Sequence, residues 1–335
     1  MRRRLRWMGD RMGVAALLLL QLASAARLNV SGRAITYDGR PHLLRGGTLT
    51  LAIGPLVSCE RAWLNTLALV SLSLAVAYSP VPIGNEPSAT RTADFFGAES
   101  APIYERDLPR MAAIGVNAVR IYSFEAARAP HTGFFDACLQ HNISVIGSFA
   151  LSASQYDLRT AIGVAQAEVD LRQQLEELRA SGGHDAVVMW LVGNEINLPS
   201  AGFICDTSST AGSSTALLGG NNTACQFDGT GLPQLVAAID RLCGAVRSFG
   251  LLCSTPLAEY PLPASYNASA HASMEGATRW FYELDPLMSN IDVWTANVYR
   301  PGDFGDWFFA ARARTAKPVL VTEYGVDAFD SGWGE

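Results

Sequence analysis

Two stretches change character abruptly. "WLVGNEIN" (Trp190 to Asn197) and "KPVLVTEYG" (Lys317 to Gly325) run through apolar residues and then turn polar, at Asn194 and Glu195 in one and at Glu323 and Tyr324 in the other. An apolar run of that length reads as a buried strand, and an unpaired carboxylate is costly to bury. The polar residues must therefore emerge where the strand ends. Two carboxyl groups about 5 to 5.5 Å apart can cleave a glycosidic bond with retention, one attacking the anomeric carbon while the other protonates the leaving oxygen. The two tasks need opposite protonation states. A nearby arginine, such as Arg120, would hold the nucleophile ionised, and a drier setting would keep the acid protonated.

The elements that must position these groups form a rhythm. Strand-like "AVAYSPVPIG", "NAVRIYSF", "ISVIGSFAL", "AVVMWLVGNEIN", "LLCSTPLAEY", "IDVWTANVYR" and "KPVLVTEYGV" are separated by helical patterns such as "RDLPRMAAIG", "TGFFDACLQHN" and "PQLVAAIDRLCGAVRSFG". Such alternation implies an α/β fold of parallel strands with helical crossovers. An open dinucleotide-binding sheet should carry G-x-G-x-x-G after its first strand, and "VAYSPVPIGNEP" has none. A (β/α)8 TIM barrel should instead carry polar residues at several strand C-termini. Arg120 and Tyr122 end the second strand, Asn194 and Glu195 the fourth, Glu259 the fifth, Asn297 and Tyr299 the sixth, and Glu323 and Tyr324 the seventh. For Tyr122, Glu259 and Asn297, satisfying backbone groups in a turn is an equal alternative. Tyr78, Tyr299 and Tyr324, at strand ends, are expected nearer the substrate, whereas Trp190, Trp294 and Trp307 read as core.

The signatures "WLVGNEIN" and "KPVLVTEYG" resemble those of the clan A retaining glycoside hydrolases, in which an Asn-Glu pair ends the fourth strand and a glutamate ends the seventh. The resemblance runs from about Val76 to Val326 and is closer to family 2-like and family 5-like barrels. It also extends to the secreted β-1,3-glucanosyltransferases of family 72. It implies that Glu195 is the general acid/base, Glu323 the nucleophile and Asn194 the donor to the sugar 2-hydroxyl, with Arg120 and Tyr299 contacting the nucleophile. The implied activity is hydrolysis of a β-linked oligo- or polysaccharide by double displacement, with transfer to a second sugar as a close variant. Carbohydrate binding without turnover is the reading from another class. It is motivated by the ending at Glu335, soon after the seventh strand, from which a barrel truncated before its eighth unit is expected for residues 76–335.

Ahead of the barrel, residues 1–25 have the basic, then apolar, then small-residue order of a secretory signal peptide. Residues 26–46 alternate around Asp38-Gly39 as a β-hairpin. The apolar insert at 47–75 departs from the family 2-like pattern, and reads as a buried helical excursion, a membrane-associating segment or sequence foreign to the mature protein. A spanning helix is disfavoured there by Asn65, Ser71 and Ser73. Secretion permits disulfides: Cys205 and Cys225 bracket a Ser/Thr/Gly loop and are the first expected pair, Cys243 and Cys253 a second, and Cys138 reads as a buried thiol. Sequons at Asn29, Asn142, Asn221 and Asn267 agree with that route.

Other chemistries find no motif. The formal net charge of -6 on 335 residues suggests neither nucleic acid nor an anionic membrane as partner. The five histidines lack metal-ligand spacing, and neither a G-x-S-x-G elbow nor a phosphate-binding glycine loop is present. No cofactor or metal is expected.

Overall fold

The computed structural model describes residues 28–31, 34–37, 40–46, 71–82, 94–128, 130–198, 201–203, 232–259, 284–299 and 304–325. The signal segment, most of the insert at 47–75, and Cys205 with Cys225 lie outside the described residues.

Strands β1 (Leu28–Ser31), β2 (Ala34–Tyr37) and β3 (Arg40–Gly46) pair antiparallel in succession. β3 then lies parallel to β4 (Ser71–Ala77), with Leu43 opposite Leu72. The strand that opens the alternating strands and helices thus begins at Ser71, and the last residues of the expected insert belong to it. From β4 the order continues in parallel through β5 (Val116–Arg120), β6 (Ser144–Phe149), β7 (Val187–Val192) and β8 (Leu252–Ser254). One residue, Thr255, separates β8 from β9 (Pro256–Ala258), which pairs with β10 (Trp294–Tyr299), and β10 pairs with β11 (Val319–Gly325). A single extended segment therefore passes the parallel order from β7 to β10. It breaks beside Pro256, whose nitrogen has no hydrogen to give a ladder.

Helices fill the crossovers. α1 (Ala101–Ala113) follows β4, α2 (Thr132–Gln140) follows β5, α3 (Ala161–Ala180) follows β6, α4 (Leu232–Ser248) follows β7 and α5 (Trp307–Arg314) follows β10. Local chemistry sets their starts: a proline lies in the first turn of α1, and the Thr160 side chain accepts the Gly163 N–H at the head of α3. α3 buries Val164, Ala167, Leu171, Leu175 and Leu178, the spacing of one helical face. Among the described residues, no helix is long and apolar enough to cross a membrane.

Alternation along the strands divides the core in two. Ala75, Ala118, Ile146, Met189, Leu191, Val293 and Leu320 form the inner cluster, while Val119, Val145, Trp190, Val192, Trp294, Val298 and Val321 join the larger layer beneath the helices. Strands buried on both faces explain the near-continuous apolar runs. A disulfide between Cys243 and Cys253 ties α4 to β8, and Cys138 is a free, buried thiol whose pKa burial pushes up.

Trp190 is wholly buried, and the strand beside it makes room: Gly147 of β6 is its partner in register. A Cβ at Gly147 would lie 2.3 Å from Cζ3 of the indole. Gly147→Ala must displace that ring, an overpacking cost of about 1–3 kcal/mol. The expected result is a lower urea midpoint with an unchanged m-value; an unchanged midpoint would show that the indole has space to move.

Candidate active site

Arg120, the last residue of β5, continues the inward face of Ala118 and is wholly buried. Its Nη1 donates to Glu323 Oε1 at 2.8 Å, to the Thr322 carbonyl at 3.3 Å and to Asn297 Oδ1 at 3.4 Å; Nη2 donates to Asn194 Oδ1 at 2.7 Å. A guanidinium at that depth is tolerable only when a counter-charge and hydrogen bonds replace water. Glu323 supplies the charge. Tyr122 covers the cation from one side, with the Arg120 Cζ 4.3 Å from its ring centroid.

Glu323 reaches Arg120 because β11 slips. Val321 pairs with Ala296, but Asn297 pairs with Glu323, leaving Thr322 as the extra residue of a β-bulge. Strict alternation after inward Leu320 would turn Glu323 away with Val321. The bulge instead lets two consecutive side chains serve the interior: Thr322 Oγ1 donates to Asn297 Oδ1 at 2.8 Å, and Glu323 meets Arg120. The next residue, Tyr324, is displaced outward, its ring 5.6 Å from that of Phe304. It packs against the helix layer rather than beside the two carboxyl groups.

Tyr299 and Asn297 share one face of β10. The Tyr299 hydroxyl donates to Glu323 Oε2 at 2.6 Å, and the Asn297 amide nitrogen donates to Glu195 Oε1 at 3.1 Å and to Asn194 Oδ1 at 3.2 Å. Burial raises the Tyr299 pKa well above the usual tyrosine range, and the bond to Glu323 adds to it. Burial does the same for Tyr122: it outweighs the lowering by Arg120, and the Glu323 charge and hydrogen bond add to the rise. Both phenols stay protonated donors.

Glu195 is set by the backbone after β7. Gly193 has φ +74° and Glu195 φ +50°, two left-handed residues in three, while the Gly193 and Glu195 N–H groups donate to the Phe149 and Pro256 carbonyls at 2.8 and 2.9 Å. A glutamate in that region is uncommon, and such conformations persist only where the surroundings over-determine them. Asn197 closes the turn: wholly buried, it exchanges two hydrogen bonds with the Ala258 backbone, at 2.8 and 2.9 Å. Burial raises the Glu195 pKa and the Glu323 charge raises it further, against the lowering by the Asn297 bond and by Arg120.

Of the residues singled out from the sequence, Arg120, Asn194, Glu195, Tyr299 and Glu323 are thus in one network. Tyr78 is a correction. Its backbone N–H donates to the Arg120 carbonyl, but its ring is buried beside Phe96 in the helix layer and its hydroxyl donates to Asp107 of α1 at 3.2 Å. Tyr324 is the other, for the reason of the bulge. Asn297 and Tyr122, which sequence left undecided, belong to the cluster. Their signal was period-two spacing from Tyr299 and Arg120, whereas Thr322 had none.

No family model matches the chain, and no curated protein is similar to it in sequence. Solved structures do resemble it. A β-mannanase from the blue mussel Mytilus edulis superposes with a TM-score of 0.50 at 14% identity, covering 88% of this chain and 82% of the mannanase. Gas2p of Saccharomyces cerevisiae, in complex with laminaripentaose, superposes at 0.51 with 11% identity, covering 92% of this chain and 56% of Gas2p. The chain therefore spans about half the length of Gas2p. Identities this low show the fold alone: parallel strands alternating with helices, as in TIM-barrel glycosidases.

Arg120→Met removes the cation and takes one donor each from Glu323 and Asn194, which keep those from Tyr299 and Asn297. The expected loss of stability is about 3–5 kcal/mol, read from urea unfolding. Arg120→Lys should recover less than half, because one ammonium cannot reproduce the guanidinium fork. Full recovery by lysine would mean that charge alone, and not the fork, organises the site.

Proposed function

We propose that this protein is a retaining β-glycosidase acting on a β-linked glycan by double displacement. The observation that carries the reading is the unequal treatment of two linked carboxyl groups. Glu323 receives Arg120 and Tyr299, partners that favour an anion, while Glu195 is half-buried next to that anion and held towards its protonated form. This is the division of roles that retention requires. The fold shared with a β-mannanase supports it, as does the resemblance of the Asn194-Glu195 and Glu323 segments to clan A signatures.

Glu323 attacks the anomeric carbon and forms a covalent glycosyl-enzyme as Glu195 gives its proton to the departing oxygen. Glu195 then takes a proton from the incoming acceptor, and the glycosyl–Glu323 bond breaks. Asn194, its Oδ1 already accepting from Arg120 and Asn297, turns its amide N–H groups to the sugar 2-hydroxyl. Likeness to Gas2p, whose solved complex holds laminaripentaose, favours a β-glucan among the donors and keeps glycosyl transfer to a second sugar as the variant reading. Product analysis over β-glucans, mannans and galactosides separates water from sugar as acceptor.

In Glu195→Ala, turnover of an aryl glycoside with a good leaving group should survive far better than turnover of an unactivated glycan, since only the latter needs a proton. Equal loss on both would remove the acid role. A fluorinated glycoside should label Glu323, and a label on Glu259 would reassign the nucleophile. The pH profile of the wild type should fall as pH rises through the raised pKa of Glu195, and Glu195→Ala should lose that alkaline limb on the aryl glycoside. Binding of these glycans with no turnover at all would favour a carbohydrate-binding protein instead.

A further inference from the structure

Away from the site, one histidine is buried with a carboxylate at each ring nitrogen. His131 directly precedes α2; its Nε2 lies 3.0 Å from Asp94 Oδ2, and its Nδ1 lies 3.2 Å from Glu177 Oε1 on α3. His131 and Asp94 are both wholly buried. A neutral imidazole has one N–H, so its other nitrogen would aim a lone pair at a carboxylate. Only the imidazolium donates in both directions. Among the described residues, Asp94 and Glu177 are the charges that act on the ring; Phe124 stacks at 4.2 Å between centroids, and Ser181 donates to Glu177 while accepting the His131 backbone N–H.

The same group grips the chain that leaves the active site. Asp94 Oδ2 also accepts the Glu125 N–H at 2.6 Å, its Oδ1 accepts the Phe96 N–H at 3.0 Å, and the Gln174 side chain donates to the Phe124 carbonyl. Phe124 and Glu125 follow closely on Tyr122, which covers Arg120 beside Glu323.

We infer that Asp94, His131 and Glu177 form a buried carboxylate–imidazolium–carboxylate clamp that fixes the connection from β5 to α2 and so holds Tyr122 in place. His131 is a positioning residue. Burial works against its charge, but the hydrogen bonds and charges of Asp94 and Glu177 prevail and hold its pKa above the ordinary histidine value. A raised folded pKa stabilises in one direction. The contribution is complete below about pH 6.5, the unfolded value, and drains away as pH rises through the folded one. The clamp itself needs no catalytic reading; only its consequence for the nucleophile rests on the proposal above.

Nitrogen-15 NMR of the imidazole in the full chain tests it. Both ring nitrogens should be protonated at neutral pH, and a neutral tautomer there would overturn the clamp. As pH rises, the Tyr122 ring resonances should move with the His131 midpoint, and resonances that ignore that midpoint would overturn the positioning role. Glu177→Gln should lower the midpoint by about one pH unit or more, and an unchanged midpoint would remove Glu177 from the clamp. His131→Gln should shift Tyr122 where the exposed-pair variant Arg241→Gln does not. These readouts stand even if no glycoside is turned over, so failure of the clamp and failure of the glycosidase reading are distinguishable.

Discussion

A wholly buried guanidinium governs this molecule. Beneath Arg120 the inner core is Ala118, Ile146, Met189 and Leu191, and nothing there can solvate a cation. Taking such a charge out of water costs several kcal/mol, offset only when its surroundings are arranged in advance. Its partners come from the segment after β7, from β10 and from β11. The electrostatic requirement is therefore also a mechanical one. The strand ends must arrive at set positions around Arg120, or the cation is left unpaired.

Ordinary strand geometry would not deliver them. Period-two alternation sends Glu323 outward, and an extended or right-handed exit from β7 would aim Glu195 elsewhere. Two local irregularities correct this: the bulge at Thr322 and the left-handed turn through Gly193 and Glu195. Each costs regular hydrogen bonding or conformational freedom, and each is restrained by specific bonds, from Thr322 Oγ1 to Asn297 and from the Glu195 N–H to the Pro256 carbonyl. Even the break between β8 and β9 participates, because Pro256 lends its carbonyl while β9 anchors Asn197. Both irregularities lie where the chemistry is proposed.

This also explains what the sequence could and could not reveal. Strand and helix alternation was legible because the parallel strands are buried on both faces and read as apolar runs. That Glu195, Glu323, Arg120, Asn194 and Tyr299 share one network was foreseeable because polar residues closing such runs have few places to go but the strand ends. Which face a strand-end residue takes is a matter of phase, and phase is set by pairing. Tyr324 was misplaced by a bulge that no residue type announces, and Tyr78 by a rule that ignores the partner Asp107 waiting on α1. The start of β4 at Ser71 was hidden for a related reason, since "SLSLAVA" is as apolar as the insert before it and only its pairing with β3 marks it as sheet. His131 gave no signal at all, because its two carboxylates come from distant segments.

Charge balance joins the cluster to its proposed chemistry. One buried cation accommodates one anion, and Glu323 occupies that role through both oxygens. A second ionised carboxylate would leave the group with a net negative charge in poor solvent, which favours the protonated form of Glu195, in keeping with its raised pKa. In the double displacement proposed for this site, attack converts Glu323 to an ester and removes its charge. The Coulombic cause that raises Glu195 then disappears, while Arg120 and the Asn297 hydrogen bond, which lower it, remain. Its pKa then falls, so the same side chain stays deprotonated more readily and is available as the general base when the second step needs one. On that proposal the alternation of roles follows from the appearance and loss of one charge beside Arg120.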